Sequence, residues 1–359
     1  MPESQYYGLI LAGGRGTRFW PRSRRRHAKQ VLNVVGERSL IQSTVDRLTP
    51  LIPPERLWIL TNEYLRDEIV RQLPGVPERQ ILAEPEQRNT APAIGLAAHI
   101  LTSIDPDAVM GVFPADHVIS KPELYLEMVR RAFTAAGAGQ IAVLGIRPRW
   151  PETGYGYIEF SPGTQPGTTD VRPVQTFREK PDLETATQYF QSGTFYWNAG
   201  MFFWRADLLL AQLAKYLPNT AAHLTGLPDF ADERFAPALK KIFPLCQDIS
   251  IDYAVLVHAD NVVGIACADI GWNDVGSWDA VYELLPRDTD ENVSRSELMS
   301  SGSRGNYIDA GRKLVALLGV KDLIVIDTPD ALLIADRSRA QQVGDIVKLL
   351  KENGREDLL

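Results

Sequence analysis

Residues 6–21 read YYGLILAGGRGTRFWP. The first six form an apolar, β-prone run that breaks directly into glycines. A strand ending in such a turn lets backbone amides approach a ligand at its carboxyl end. Working outward to about Arg147, short β-rich runs alternate with longer segments of helical period. YYGLILAG, LWILTN, AVMGVFPAD and IAVLGI read as strands. SLIQSTVDRL, EYLRDEIVRQL, TAPAIGLAAHILTSI and ELYLEMVRRAFTAA carry apolar residues three and four apart and read as helices, with Thr90, just ahead of a proline, suited to a helix start. This alternation predicts an α/β fold, a Rossmann-like, doubly wound, mostly parallel sheet whose ligands bind at the carboxyl ends of its strands.

After Gly154 the pattern becomes mixed: a YGYIEF strand, the turn-rich SPGTQPGTTD, a strand leading into FREKP, then helices and a WNAGMFFWR strand. This predicts an insertion or second lobe over the same site. Near Pro286 the composition turns polar, and short β-like runs follow (NYIDA, KLVALLG, LIVIDT, ALLIAD), ending in a helical VGDIVKLLKEN. We place a boundary at about residue 290, giving a catalytic unit of residues 1–290 and a small β-rich unit of residues 291–359 that ends in a helix.

The chain has 359 residues and a formal net charge of −7. An acidic chain with its arginines concentrated at one end argues against general nucleic-acid binding and for a small anionic ligand. Cys246 and Cys267 form no metal or redox motif and read as buried fillers. No charged-then-apolar leader follows MPESQ, and no apolar stretch approaches a membrane span, so the cytosol is the expected compartment, with no membrane partner.

The glycine loop fails both the Walker A pattern and the G-x-G-x-x-G dinucleotide fingerprint. On the glycines alone, a strand-to-helix turn with solvated arginines and a phosphate cradle remain equally open. Arg15, Arg18 and Lys29 around the loop favour the cradle, since guanidinium groups match phosphate oxygens bidentately. Two or three arginines of RSRRR then remain solvated. Asp116, ending the AVMGV strand in FPADH, stands where α/β enzymes put metal or catalytic groups, although a turn cap is an equal reading. Asp274, in the turn GWNDVGSW, is a second carboxylate for the same ion, or simply fixes its turn. Two carboxylates with phosphate oxygens and water suit Mg²⁺. Lys180, before a proline in FREKP, can aim an ammonium at a ligand or sit exposed. His117 reads as structural, or as orienting a ligand beside Asp116. No arrangement for nucleophilic catalysis stands out.

LAGGRGTRFWP (11–21) with Lys29-Gln30 resembles the signature of the sugar-1-phosphate nucleotidylyltransferases. EPEQRNTAPAI (84–94), FPADH (113–117), TGYGYIEF (153–160), FREKPD (177–182), WNAGMFFW (197–204), SIDYAV (250–255) and GWNDVGSW (271–278) are similar, in this order, to motifs of the mannose-1-phosphate guanylyltransferase branch. Matches in register along the whole chain are far more specific than any single one.

The resemblance implies transfer of GMP from GTP to mannose 1-phosphate, giving GDP-mannose and pyrophosphate. It implies a nucleotide site of Leu11, Ala12, Gly13, Gly14, Gly16, Thr17, Arg18, Lys29, Glu84, Arg88, Asn89, Thr90 and Asp116. Glu84 would accept from guanine N–H groups, and Arg88 would donate to guanine or phosphate, while Thr90 is equally suited to capping the next helix. Gly154, Tyr155, Gly156, Glu179, Lys180, Asn198 and Asp274 would hold the sugar phosphate. Arg18, Lys29 and Lys180 would be the catalytic cations and Mg²⁺ on Asp116 and Asp274 the metal. The C-terminal runs would form a small β-helix-like lobe that packs on the catalytic unit or pairs subunits in a homodimer. Three positions depart from the family pattern: Ala28 in place of a proline, Arg178 in place of a small apolar residue and Val257 in place of a glutamate. The longer relatives carry an isomerase domain, and its absence here leads us to expect a single activity. Another base or sugar, or a non-catalytic nucleotide-sugar-binding regulatory subunit, are the alternatives.

Overall fold

A computed structural model describes residues 3–167 and 170–359. Its first half is built on β1 (Tyr6–Leu11), β2 (Leu57–Asn62), β3 (Ile81–Glu84) and β4 (Val109–Pro114), all parallel and ordered β3-β2-β1-β4. The helices α1 (Leu40–Leu48), α2 (Arg66–Gln72) and α3 (Thr90–Ile104) connect them. These strands are apolar on both faces because both faces are covered, as parallel sheets require. Helix α1 opens with a capping box in which Ser39 and Gln42 satisfy each other's backbone amides. Helix α3 is capped by Asn89 rather than by Thr90: Asn89 Oδ1 accepts from Thr90 N at 3.0 Å. The Thr90 hydroxyl instead accepts from the amide of Ile251 at 2.9 Å.

Register decides where the site forms. Leu11 pairs with Pro114 and Asn62 with Glu84, so β1, β3 and β4 end at one edge. The glycine loop, Glu84 and Asp116 therefore leave the sheet side by side.

The second half adds β5 (Val118–Ile119), α4 (Pro122–Gly137), β6 (Ile141–Ile146), β7 (Gly156–Glu159), β8 (Val171–Pro173), β9 (Thr176–Glu179), α5 (Leu183–Ser192) and β10 (Phe195–Arg205). The long β10 lies antiparallel between β4 and β6, so the sheet is mixed. A register shift between Asn198 and Phe202 bends β10, a device that re-aims side chains beside active sites. One helix, α5, separates β9 from β10. Helices α6 (Ala206–Tyr216), α7 (Pro218–Thr225) and α8 (Phe235–Ile242) follow, before β11 (Val262–Ala266) rejoins the sheet beside β6. The two-residue strand β12 (Trp272–Asn273) pairs antiparallel with β5. That ribbon carries Asp274 back to Asp116. Helix α9 (Trp278–Leu284) closes this half.

The last residues coil. β13 (Val293–Ser294), β15 (Tyr307–Asp309) and β17 (Leu323–Asp327) stack parallel, as do β14 (Leu298–Ser301) and β16 (Val315–Leu318), while β18 (Leu332–Asp336) runs antiparallel to β17. Buried asparagines staple successive coils. Asn306 donates through N and Nδ2 to Asn292 Oδ1 at 3.1 and 2.8 Å, and Leu323 N donates to Asn306 Oδ1 at 2.9 Å. These bonds satisfy backbone amides at the corners of the coil. Helix α10 (Val343–Glu352) follows. The coil is therefore the expected β-helix-like lobe.

Two large apolar cores cover the faces of the sheet, and a third crosses residue 290. It joins Phe19, Trp20, Val275 and Trp278 to Tyr307, Ile324, Ile326 and Val343. The arginines after the loop belong to the same contact: Arg22 pairs with the buried Asp309 at 2.7 Å and Arg24 with Asp330 at 3.0 Å. These two tie the loop to the lobe, while Arg25 and Arg26 of the same run are exposed, in keeping with two solvated arginines. Cys246 and Cys267 are free and buried. Among the described residues no helix is long and apolar enough to cross a membrane.

Candidate active site

The glycine loop borders a cavity of about 550 Å³ lined by Leu11 through Gly14, Glu84, Asn89, Thr90 and Asp116. Its carbonyls are committed to protein donors. Gln30 Nε2 donates to the oxygens of Ala12 and Gly14 at 2.6 and 2.9 Å, and Thr61 Oγ1 also donates to Ala12 O, at 3.0 Å. Asn62 Nδ2 donates to Gly13 O at 3.3 Å and Ser23 Oγ to Arg15 O at 2.9 Å. The loop thus has amides rather than oxygens to present, the polarity an anion needs. Gly16 and Thr17 continue the loop past this cavity. Gly16 has φ +60°, and a Cβ there would lie 2.5 Å from the Cβ of Lys29. Only glycine lets the loop pass so close to that lysine.

Lys29 is the hub. It is 6% exposed, and its Nζ donates to Asp116 Oδ2 at 2.8 Å and to the backbone oxygen of Asp274 at 2.7 Å. Burial pushes the Asp116 carboxyl up, but the Lys29 ammonium, aided by His117, outweighs it and holds Asp116 below the usual range. The residue before it, Ala28, has φ −71° and ψ 166°, the backbone a proline would fix. The departure at Ala28 therefore leaves the path of the chain to Lys29 unchanged.

Asp274 follows β12, and its Oδ1 accepts from the Tyr155 hydroxyl at 2.7 Å. Burial, reinforced by the Asp274 carboxylate, pushes the Tyr155 phenol far up, so it stays a donor. His117 is held by Trp272, whose Nε1 donates to Nδ1 at 3.2 Å. Burial pushes its imidazole down to about 4, so it is neutral near pH 7. That nitrogen is thus committed to Trp272.

Among the described residues no group of three or more His, Cys, Asp or Glu could hold a metal ion. The protein instead brings the Asp116 carboxylate and the backbone oxygen of Asp274 to one ammonium. Asp116 has Oδ1 and Asp274 has Oδ2 beyond the oxygens engaged by Lys29 and Tyr155. Two hard oxygen donors, completed by phosphate and water, fit a divalent cation of the magnesium kind.

The second half supplies another polar cluster. Gly156 pairs with Glu179 across β7 and β9, and a Cβ on Gly156 would lie 2.4 Å from Glu179 Oε2. Lys180 Nζ meets Glu179 Oε1 at 2.8 Å. Burial pulls the Lys180 ammonium down, but the Glu179 carboxylate outweighs it and the net shift is up. Asn198, at the bend of β10, donates through Nδ2 to Asp252 Oδ1 at 3.0 Å. The Gly154 amide is engaged by Glu152 Oε1 at 2.8 Å.

Several residues of the cavity escape sequence reasoning. Gln30, Gln87, Asp248 and Asp252 line or shape the cavity without having been assigned a role. Asp252 opens a wide turn in which Val257 N bonds Asp252 O at 3.0 Å, a π-type turn of a kind frequent at functional sites. Burial, then the Glu179 carboxylate, pushes Asp252 up to about 7. The SIDYAV motif was its only signal. Glu84, one of the lining residues, is buried; its Oε1 has no partner among the described residues, and burial pushes the carboxyl up to about 8. Arg88 pairs with Glu86 at 3.0 Å and is not among the residues lining the cavity. Arg178 and Val257 meet at a separate cavity of about 180 Å³, so neither departure touches this one.

Comparison with known proteins fixes the class first: residues 7–291 match the family described as nucleotidyl transferase, and residues 297–350 match the MannoseP isomerase/GMP-like beta-helix domain. A mannose-1-phosphate guanylyltransferase of Klebsiella pneumoniae is 39% identical over 353 residues, spanning 97% of this chain and 74% of that one. One from Escherichia coli K12 is 39% identical over 367 residues, spanning 99% and 76%. A Thermus thermophilus crystal structure described as a mannose-1-phosphate geranyltransferase superposes with a TM-score of 0.84 at 31% identity, covering 97% of this chain and 99% of that one. The chain belongs to the mannose-1-phosphate guanylyltransferase family of nucleotidyl transferases.

Proposed function

We propose that the chain transfers GMP from GTP to α-D-mannose 1-phosphate, forming GDP-mannose and pyrophosphate in the cytosol. The observation that carries this reading is Lys29, whose one ammonium touches both Asp116 and Asp274 beneath an amide-lined loop. A phosphate oxygen of mannose 1-phosphate attacks the α-phosphorus of GTP in line, and the bond to the pyrophosphate oxygen breaks. The nucleophile is already an anion, so no general base is needed. The loop amides, Arg18 and Lys29 hold the triphosphate, and Lys180 holds the phosphate of the sugar. Together they align the two phosphates and offset the charge that develops between them. Mg²⁺ bound by Asp116 and Asp274 would supply further charge neutralisation on the triphosphate oxygens. Glu84, a carboxylate among the residues lining the cavity, suits the paired N–H donors of guanine. Glu179, Asn198 and Asp252 supply acceptors and a donor for sugar hydroxyls. Residues 1–290 carry these groups and residues 291–359 brace the loop.

The test is pyrophosphate release measured across the common nucleoside triphosphates with mannose, glucose and fucose 1-phosphates. Release greatest with GTP and mannose 1-phosphate is the expected result. Another best pair would reassign base or sugar, and tight GDP-mannose binding without turnover would make the chain a sensor.

A further inference from the structure

The β-helix-like lobe reaches the phosphate loop through a polar contact that no motif marks. Nη1 of Arg18 donates to Oε1 of Gln341 at 2.5 Å. Gln341 sits in the turn Arg337–Gln342 that runs straight into α10. The next turn stacks on the same loop: a Cβ on Gly344 would lie 3.5 Å from Thr17 Oγ1 and 3.8 Å from Arg18 Cγ. Val343, between them, is buried in one core with Phe19. The same nitrogen lies beside the turn that carries Asp274, since a Cβ on Gly276 would lie 3.5 Å from Nη1 and 2.9 Å from Asp274 Oδ2. Arg18 thus meets both a glutamine of the lobe and the turn that carries Asp274.

We propose that Gln341 is a positioning residue for the transfer reaction, fixing one edge of the Arg18 guanidinium so that its remaining N–H groups point at the triphosphate. This rests on the reading of Arg18 as a triphosphate contact. The chemistry of the acceptor matters. Guanidinium offers five donors, and one given to a neutral amide oxygen orients the group while leaving its charge for phosphate. A carboxylate at the same place would compete with the phosphate for that charge. The lobe thereby becomes part of the catalytic site rather than an appendage.

The test is a double-mutant cycle in the full chain with Gln341→Leu, Arg18→Ala and the pair, reading kcat and KM for GTP, GTP affinity by calorimetry, and the thermal midpoint. Gln341→Leu keeps the bulk of the side chain and removes the acceptor. Expected is a loss in kcat/KM for GTP of about tenfold at an unchanged midpoint, with no further loss when it is added to Arg18→Ala. Gln341→Glu, which keeps an acceptor and adds charge, should also lose kcat/KM for GTP. Wild-type kinetics in Gln341→Leu, or losses that add across the cycle, would overturn the proposal. An inactive wild-type protein would instead remove the transferase reading, and the same cycle read as GTP affinity would still decide whether Gln341 acts through Arg18.

Discussion

The Tyr155 hydroxyl lies 2.7 Å from Asp274 Oδ1, so the loop ahead of β7 is fastened to the carboxylate assigned to the metal. The groups proposed to hold the sugar phosphate and the metal are therefore joined by a direct hydrogen bond. Tyr155→Phe deletes only that bond and frees Asp274 to rotate. We expect its half-saturating Mg²⁺ concentration to rise several-fold with little change in thermal midpoint. Asp274→Asn should go further, losing about a hundredfold or more in kcat, and chelation should silence the wild type. Equal Mg²⁺ titrations for wild type and Asp274→Asn would remove Asp274 from the metal site.

Lys29 and Gly16 make a paired prediction. Lys29→Met removes the cation while keeping the stem, and should depress turnover by about two orders of magnitude. Gly16→Ala leaves every charge in place, but its new Cβ would meet Lys29 Cβ at 2.5 Å on a φ of +60°. It should reproduce much of the turnover loss and also lower stability by about 1–3 kcal/mol. Normal pyrophosphate release from Gly16→Ala would show that the loop does not need its close approach to Lys29.

Much of this was legible because the informative residues are local. Apolar runs at 6–11, 57–62, 109–114 and 141–146 announce strands buried on both faces, and Asp116 is marked by ending one of them. The strand ILAE at 81–84 is too short and too polar at its end to stand out. ADLLLAQLAKY carries the helical period of α6, so the missed helix there had a usable signal. Asp252 and Gln341 are different. Asp252 meets Asn198 through the bend of β10, and Gln341 reaches Arg18 beside a core shared across residue 290. Neither relation has a sequence period. The same holds for Arg22, which is one of several arginines in the sequence yet pairs specifically with buried Asp309.

Glu84 and Asp252 predict how stability follows pH. Both carboxyls bind a proton more tightly in the folded protein, Glu84 at about 8 and Asp252 at about 7, against ordinary values of 4.5 and 3.8. Between the ordinary and the raised value the unfolded chain has lost the proton and the folded chain keeps it, so each group lowers stability as pH rises through that window. Glu84→Gln removes the Glu84 part. Its unfolding free energy relative to wild type should climb from pH 5 to pH 8, by an amount on the order of a few kcal/mol. Asp252→Asn should show its climb earlier, levelling off near pH 7. A variant-minus-wild-type difference that stays flat over these windows would show that the carboxyl is ionised in the folded state throughout.

The same Glu84 decides base selectivity. Its Oε1 is buried without a partner among the described residues, and Glu84 is one of the residues lining the cavity. Guanine can offer a ring N–H and an exocyclic amino group to one carboxylate; adenine presents an acceptor at the corresponding ring nitrogen. A site that hydrogen-bonds its ligand rejects an analogue lacking the donors, because the buried acceptor is then left desolvated. Glu84 can release its proton on meeting the two guanine donors and then offers two acceptors, whereas Glu84→Gln always offers one acceptor and one donor. The substitution should lower kcat/KM for GTP by about tenfold or more while lowering that for ATP little, so the ratio between the two narrows. Competition assays with GTP and ATP at pH 8 would measure that ratio directly. An unchanged preference for GTP would move base recognition elsewhere on the cavity wall, to Gln87 or the amides of the glycine loop.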